Sequence, residues 1–207
     1  MKNFKLYYEQ YQLIEEATKA NTHLTHLEEL ILTKGEAGYG TARGFITDLL
    51  SHLQGKSKRK VNTSVKWDGA PAIFAGKHPD TGKFFVGTKS IFNREPKINY
   101  SDNDIEMNHG HAPGLADKLK KALKYLPKLG IKGILQGDFM FDTSMIGKET
   151  IDGVPHYTFK PNTIKYAVET DSKLGQEIAN SVFGIVFHTG YTDLDSPPQY
   201  GINVKGL

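Results

Sequence analysis

The spacing of apolar residues changes near residue 55, and this change constrains the fold more than any other feature. Before it, apolar side chains recur at helical spacing, as at Leu49 and Leu53. After it, short runs rich in β-branched and aromatic residues are separated by turns. A basic segment, residues 55–60, lies between the two patterns. The sequence therefore predicts an α+β protein, with an N-terminal helical layer over residues 1–60 and a mostly antiparallel sheet body over residues 61–207.

The helical layer is predicted to span residues 4–55 and to be divided by glycines. The run Thr25-His26-Leu27-Glu28 fits a capping box, in which the glutamate reaches back to the backbone at the start of a helix. Gly35 would end that helix, because glycine readily adopts the left-handed conformation found after helix ends. Gly38 would lie in the loop that follows, and a further helix is predicted over residues 41–53.

The body is predicted to contain several strands and one clear helix. Residues 78–82 contain proline, aspartate and glycine, which favour a hairpin turn. Leu115, Leu119 and Leu126 would lie on one face of an amphipathic helix. Residues 100–113 are polar and would form a loop. The predicted strands are 61–66, 71–76, 84–88, 133–141, 157–168 and 182–188.

Composition excludes some functions and leaves others open. The 207 residues contain no cysteine, which excludes disulfides and thiolate metal sites and favours a reducing cytoplasm. We find no apolar run as long as a membrane span, so no membrane partner is expected. The net charge of +3 is compatible with a nucleotide or nucleic acid partner but does not indicate one.

The run Lys66-Trp67-Asp68-Gly69 is the first candidate for chemistry. Burying a lysine ammonium is costly unless an anion meets it, so a lysine beside an apolar strand needs a reason. One reason is nucleophilic chemistry, because a lysine whose pKa is lowered by burial and cationic neighbours can attack a nucleotide α-phosphate. The alternative is a coincidental turn in a structural protein. In that case Lys66 should be exposed and far from Lys89 and Asp138.

Lys89 and Asp138 are the next candidates. Lys89 follows the second strand of the predicted hairpin, where it would contact phosphate or lie on the surface as an ordinary lysine. Asp138 is embedded among apolar residues in Ile134–Phe141, and a desolvated carboxylate needs a cation or hydrogen-bond donors. It would bind a divalent metal, a ribose or Lys66, or else pair with a structural arginine or amide.

Together these segments resemble the covalent nucleotidyltransferases, the superfamily of ATP-dependent DNA ligases, RNA ligases and mRNA capping enzymes. The run from Lys66 to Gly69 matches the Lys-x-Asp-Gly of their first motif. Gly87-Thr88-Lys89-Ser90 is similar to the strand-end motif that follows it. Gly137-Asp138-Phe139 looks like the Gly-Glu-Phe motif of RNA ligases, with aspartate in place of glutamate. The resemblance covers residues 61–141 and implies an ATP-grasp-like ligase core, closer to RNA ligases than to DNA ligases.

The resemblance also implies roles for the matching residues. Lys66 would attack the α-phosphate of ATP in the presence of Mg²⁺ and carry AMP as a phosphoramidate. Lys89 would hold phosphate, with Arg94 as a second candidate, and Asp138 would ligate the metal or hydrogen-bond the ribose. Either Phe183 or Phe187 would stack on adenine. The residues expected to contact the nucleotide are Val65, Trp67, Asp68, Gly69, Lys89, Arg94, Phe183 and Phe187.

The acceptor and the nucleotide remain open at this point. AMP would pass most naturally to a 5′-phosphorylated nucleic acid end, while a protein acceptor, or GTP in place of ATP, is compatible with the same motifs. The whole chain also resembles a group of tailed-phage proteins, which implies a phage origin and a location in the host cytoplasm.

The resemblance weakens after residue 141. The superfamily has a Glu-Gly motif for metal and a final Lys-x-Lys, but Phe183 stands where the metal-binding glutamate would align. One explanation is a C-terminal segment that continues beyond Leu207. The other is a catalytically inactive ligase-fold protein that binds nucleic acid or a phage or host protein.

Overall fold

The computed structural model describes residues 26–57, 66–196 and 199–200. Most of the predicted strand 61–66, including Val65, lies outside these residues, as does Thr25. The chain divides into two compact units, one before Lys66 and the other from Lys66 onward.

The described part of the first unit contains one kinked helix, α1 (Leu27–Leu53). His26 is its N-cap residue, and the backbone N–H of His26 donates to the Glu29 carboxylate at 3.2 Å. The capping interaction therefore occurs one residue later than the sequence predicted. Gly35 interrupts the helix with φ 55°, a left-handed value that favours glycine, so the predicted break at Gly35 is confirmed.

The loop predicted around Gly38 is wrong, because helical structure resumes directly after Gly35. The chain turns sharply at Gly35, which brings Gly38 against the preceding turn of α1. A Cβ atom at Gly38 would lie 1.7 Å from the carbonyl oxygen of Leu30. Glycine is therefore required at position 38 for a close backbone approach within the helix.

The second unit is built on a five-stranded antiparallel sheet with strand order β2-β1-β3-β7-β8. Its predicted strands are confirmed within a few residues, and the hairpin turn between β1 and β2 is confirmed with Gly82 at φ 66°. The strands are β1 (Ala72–Lys77), β2 (Phe84–Gly87), β3 (Ile134–Asp142), β7 (Phe183–Tyr191) and β8 (Gln199–Tyr200).

A second sheet follows β3 in the chain, with strand order β4-β5-β6. Its strands are β4 (Gly147–Ile151), β5 (Val154–Phe159) and β6 (Tyr166–Glu169). The prediction of one strand over residues 157–168 is wrong, because residues 160–165 reverse the chain and pair β5 with β6.

Three α-helices occur in the described part of the second unit. Helix α2 (Asp102–His109) lies within the predicted loop 100–113, so that prediction is wrong over these residues. The Ser101 hydroxyl accepts from the Asp104 backbone N–H at 3.2 Å and caps the helix. Helix α3 (Pro113–Tyr125) confirms the predicted amphipathic helix, and α4 (Lys173–Ala179) precedes β7.

The main sheet has two differently covered faces. On the helix-covered face, residues of α2 and α3 such as Ile105 and Leu119 pack on Ile73, Leu135 and Phe139. The opposite face carries Gln136, Asp138 and Met140, since side chains alternate along a strand. Near Met140 this opposite face packs against the second sheet and α4, through a core that includes Phe141, Phe159 and Ile178.

No helix in the described part of the chain is both long and apolar enough to cross a membrane.

Candidate functional site

A histidine at a β-bulge in β7 lies beside Asp138. Thr189 pairs with Gln136 and Phe187 pairs with Gly137, so His188 is an extra residue in β7. Phe183, Ile185 and Phe187 pack on the helix-covered face, so alternation along β7 carries His188 to the opposite face. The bulge leaves His188 without a pairing residue in β3, and Thr189 follows on the same face, opposite Gln136. There its Nε2 lies 3.6 Å from the Oδ1 of Asp138.

Gly69, in the segment that precedes β1, also lies close to Asp138. A Cβ atom at Gly69 would lie 2.7 Å from the Cβ of Asp138 and 2.8 Å from the Phe139 carbonyl oxygen. Any side chain at position 69 would therefore displace this segment from β3. The structure thus brings the end of the Lys66–Gly69 run directly against Asp138, about seventy residues away in sequence.

Backbone hydrogen bonds continue this attachment into β1. The Ala70 N–H donates to the Phe139 carbonyl, and the Phe139 N–H donates to the Pro71 carbonyl, each at 3.0 Å. From the helix-covered face, Lys118 Nζ donates to the Ala70 carbonyl at 3.3 Å. Burial lowers the pKa of Lys118, because a partly desolvated ammonium is less stable. The segment from Gly69 to Pro71 is therefore held on β3 by backbone hydrogen bonds and contacted by Lys118 from the helix-covered face.

Asp68 connects the same segment to the turn between β5 and β6. Its carboxylate accepts from the Asn162 side-chain amide at 3.0 Å and from the backbone N–H groups of Thr163 and Ile164 at 3.2 and 3.4 Å. The Asn162 hydrogen bond is the main reason that the pKa of Asp68 is lowered, since it stabilises the carboxylate. The Asp68 N–H also donates to the Tyr166 hydroxyl at 2.7 Å. Asp68 therefore anchors the Lys66–Gly69 run to the turn between β5 and β6.

Trp67 lies between the two sheets. Its ring centroid is 5.2 Å from that of Tyr166, and its side chain packs against the core formed by Met140 and Phe159. Met140 lies on the same face of β3 as Asp138. Trp67 and Tyr166 therefore supply aromatic surface on the side of the sheet where Asp138 is found.

Lys66 is exposed. The expectation of a partly buried lysine is therefore wrong, and the exposure agrees with the coincidental-turn hypothesis. The second requirement of that hypothesis is a large distance from Lys89 and Asp138. The close approach to Asp138 of Gly69, three residues after Lys66, argues against a large distance from Asp138. The positive charge of Lys66 also contributes to the lowered pKa of Asp68.

Lys89 and Arg94 lie beyond the end of β2. Lys89 begins a short 3-10 turn (Lys89–Phe92) that Thr88 caps through a bond from the Ser90 backbone. Gly87 pairs with Phe74, and Ala72 pairs with Asp138, so the end of β2 and Asp138 lie at the same end of the sheet. Both Lys89 and Arg94 are exposed. They are thus available to an anionic ligand at that end.

Phe183 and Phe187 lie on the helix-covered face, away from Asp138. The ring of Phe183 stacks on that of Phe139, with centroids 5.8 Å apart and an interplanar angle of 1°. Phe187 packs against the same helix-covered core. The structure therefore brings these two residues together with Phe139, but not with the Lys66–Gly69 run.

His188, Asn162 and Tyr166 are the residues that sequence reasoning missed. His188 was predicted only as the last residue of the strand 182–188, and Asn162 and Tyr166 only as part of the strand 157–168. The described residues contain no cluster of three or more histidine, aspartate or glutamate side chains that could hold a metal. A cation at Asp138 would therefore need ligands from water or from a bound nucleotide.

The fold and the site define an α+β protein with an antiparallel sheet and a candidate ligand-binding end around Gly69, Asp138 and His188. A family model described as a family of unknown function, DUF6267, matches residues 21–206, and the chain belongs to this family. No curated protein and no solved structure matches the chain.

Proposed function

We propose that this protein is an ATP-dependent nucleotidyltransferase that resembles RNA ligases, and that Lys66 carries the nucleotide. The contact of Gly69 with Asp138 is the observation that carries the proposal. It brings together two of the motifs on which the resemblance depends, at the point where β1 begins to pair with β3.

The proposed first step is nucleotidyl transfer to the protein. The neutral Lys66 amine attacks the α-phosphorus of ATP, forms a P–N bond and displaces pyrophosphate as the α–β bridging P–O bond breaks. The ammonium proton of Lys66 is lost to solvent before the attack, and a second proton leaves the nitrogen as the P–N bond forms. In the second step, which we propose uses a 5′-phosphorylated nucleic acid end, an oxygen of the acceptor phosphate attacks the AMP phosphorus. A P–O bond forms as the P–N bond breaks, and the Lys66 nitrogen leaves as an amine after taking a proton from solvent.

The exposed position of Lys66 is compatible with this role. An acceptor as large as a nucleic acid end must reach the lysyl nucleotide, and a surface lysine allows that approach. Asp68 limits the freedom of the segment by its bonds to Asn162, Thr163 and Ile164. A flexible side chain on a fixed backbone would thereby reach the nucleotide without a large loss of conformational entropy.

The remaining side chains would bind the nucleotide. Lys89 and Arg94 would contact phosphate oxygens, and Trp67 offers an aromatic surface to the base on the Asp138 side of the sheet. Asp138 would hold a divalent cation, since carboxylate oxygens are suitable ligands for Mg²⁺. Such a cation would offset negative charge on the phosphates. With no cysteine in the chain, we place this reaction in a reducing cytoplasm.

A second candidate function is nucleic acid or protein binding without catalysis. The exposure of Lys66 favours it, because a nucleophilic lysine often depends on burial to become neutral. The anchoring role of Asp68 also explains the Lys-x-Asp-Gly run without any reaction.

The test is incubation with α-labelled ATP and a divalent cation, in parallel with α-labelled GTP, followed by a denaturing gel. We expect label that survives denaturation and disappears in Lys66→Ala. Lys77→Ala is the matched control, because Lys77 is an exposed lysine at the other end of β1.

Label on the Lys66→Ala variant would contradict the assignment of the nucleophile. Complete lack of label on the folded wild-type protein with both nucleotides would favour the binding function instead.

A further inference from the structure

We propose that Asp138 and His188 together form a site for a first-row transition-metal ion such as Mn²⁺, in preference to Mg²⁺. The inference deepens the proposed function and rests on it for the identity of the remaining ligands. It adds His188, a residue that the motif resemblance does not include, and it changes the expected metal.

The separation of the two side chains is the first argument. Asp138 Oδ1 and His188 Nε2 are 3.6 Å apart. An N–H···O hydrogen bond is typically about 2.7–3.2 Å long, so the two atoms are too far apart for one. Two ligands of a single divalent cation, each at about 2.1 Å from it, are separated by roughly 3–4 Å. The observed distance fits a shared cation better than a direct hydrogen bond.

The contact of the second ring nitrogen of His188 is compatible with the same arrangement in one of the two tautomers. Nδ1 lies 2.8 Å from the Thr189 hydroxyl oxygen. When Nδ1–H donates to Thr189, Nε2 carries its lone pair toward the carboxylate of Asp138. Two groups that are both electron-pair donors then face each other, and a cation between them is favourable. Metal-binding histidines commonly have their other nitrogen fixed in this way.

The bulge in β7 is the third argument. It leaves His188 without a pairing residue in β3, immediately beside the point where Thr189 pairs with Gln136. Bulges of this kind often occur next to functional sites, where they redirect one side chain. Both side chains are also accessible, with exposed fractions of 30% for His188 and 19% for Asp138.

The ligand types determine the preferred metal. Carboxylate oxygens bind Mg²⁺ and Mn²⁺, but imidazole nitrogen favours transition metals over Mg²⁺. Two protein ligands are too few for a closed structural site, which usually has four. The coordination positions left open would be filled by water and by phosphate oxygens of the nucleotide. The site should therefore bind metal weakly alone and more tightly with nucleotide.

The experiment measures Mn²⁺ binding directly, by the loss of the electron paramagnetic resonance signal of free Mn²⁺. Full-length wild-type protein is titrated with and without an ATP analogue that has a methylene group between the α- and β-phosphates. We expect His188→Gln and Asp138→Asn each to weaken Mn²⁺ binding tenfold or more, by loss of a ligand. His111→Gln serves as the control, because His111 is an exposed histidine outside β7. Mg²⁺ should displace Mn²⁺ only at much higher concentration.

Two results would overturn the inference. One is wild-type protein that does not bind Mn²⁺ under either condition, and the other is His188→Gln that binds it as tightly as the wild type. Circular dichroism and thermal unfolding of each variant establish that any loss is not caused by misfolding.

The labelling gel separates this inference from the proposed function. Label on Lys66 that is equal with Mg²⁺ and Mn²⁺, and is unchanged in His188→Gln, would support the function and reject the metal site. Mn²⁺ binding that depends on His188, without any label, would support the metal site and reject the proposed reaction.

Discussion

Two aspartates on β3, Asp138 and Asp142, have opposite environments. Asp142 is buried, and its carboxylate accepts from Lys121 Nζ at 2.7 Å and from the Ser144 backbone N–H at 2.9 Å. Asp138 faces His188 at a distance too long for a hydrogen bond. The first carboxylate is stabilised by short hydrogen bonds within the fold, whereas the second has a partly exposed histidine at a longer distance. The difference shows that an acidic residue in an apolar strand is not by itself a functional signal.

The pKa of Asp142 reflects its partners within the fold. Burial raises the pKa of Asp142, but hydrogen bonds from Lys121 and Ser144 outweigh burial and lower it to about 2. A lowered pKa means that the folded protein stabilises the charged carboxylate relative to the unfolded chain. Asp142 therefore contributes to stability.

Replacing Asp138 and Asp142 with asparagine, one at a time, should give the largest difference in stability between two variants. We expect Asp142→Asn to lower the free energy of unfolding by about 2 kcal/mol, because one pKa unit corresponds to about 1.4 kcal/mol. Asp138→Asn should change it by no more than about 0.5 kcal/mol, since the contact it loses, with His188 at 3.6 Å, is long and partly exposed to solvent. Urea unfolding at neutral pH measures both. Equal destabilisation by the two variants would contradict the comparison.

Acid should remove the contribution of Asp142 in a defined range. The pKa of Asp142 falls from 3.8 to about 2 on folding. The stabilisation is therefore complete above pH 5 and is lost as the pH falls through 3.8 toward 2. The stability difference between wild type and Asp142→Asn should be constant from pH 7 to pH 5 and should shrink below pH 4. A difference that stays constant down to pH 2.5 would show that the ion pair is not its source.

A third aspartate, Asp68, should have a smaller effect on stability than Asp142. Its carboxylate is partnered by protein donors, as Asp142 is, but it lies near the surface and holds a turn rather than a core strand. We expect Asp68→Ala to leave global stability nearly unchanged and to accelerate amide hydrogen exchange at Thr163 and Ile164, because both lose their acceptor.

Asp142→Ala provides the control for that measurement, because it removes a carboxylate without touching the turn. Exchange at Thr163 and Ile164 that is unaffected by Asp68→Ala would contradict the anchoring role of Asp68.

The regular elements of this fold were predictable where apolar spacing and turn residues agree. The β1–β2 hairpin has proline, aspartate and glycine in its turn, and α3 has leucines at helical spacing. Helix α2 was missed because its residues are mostly polar, and its clearest signal is the short-range Ser101–Asp104 cap. The reversal at residues 160–165 was missed because apolar residues occur on both sides of it.

The candidate site was predictable only where a motif marks it. The run from Lys66 to Gly69 and Asp138 carry such a pattern, and the structure brings Gly69 and Asp138 into contact. His188 carries none, because alternation along β7 indicates its face but not which residue of β3 it meets, and that depends on the register and on the bulge. Phe183 and Phe187 were predicted to stack on adenine because they are aromatic. The face of the sheet on which they lie depends on the register of β7.

The bonds of Asp68 also have a consequence for the order of folding. Asp68 is 94 residues from Asn162 and 96 from Ile164 in the chain. During synthesis, the segment that carries Lys66 leaves the ribosome long before its anchoring partners exist. Contacts between such distant residues form late, because a long loop must be closed first. The hairpin β1–β2 can fold early, but the Lys66 segment acquires its final conformation only after the turn before β6 has been made.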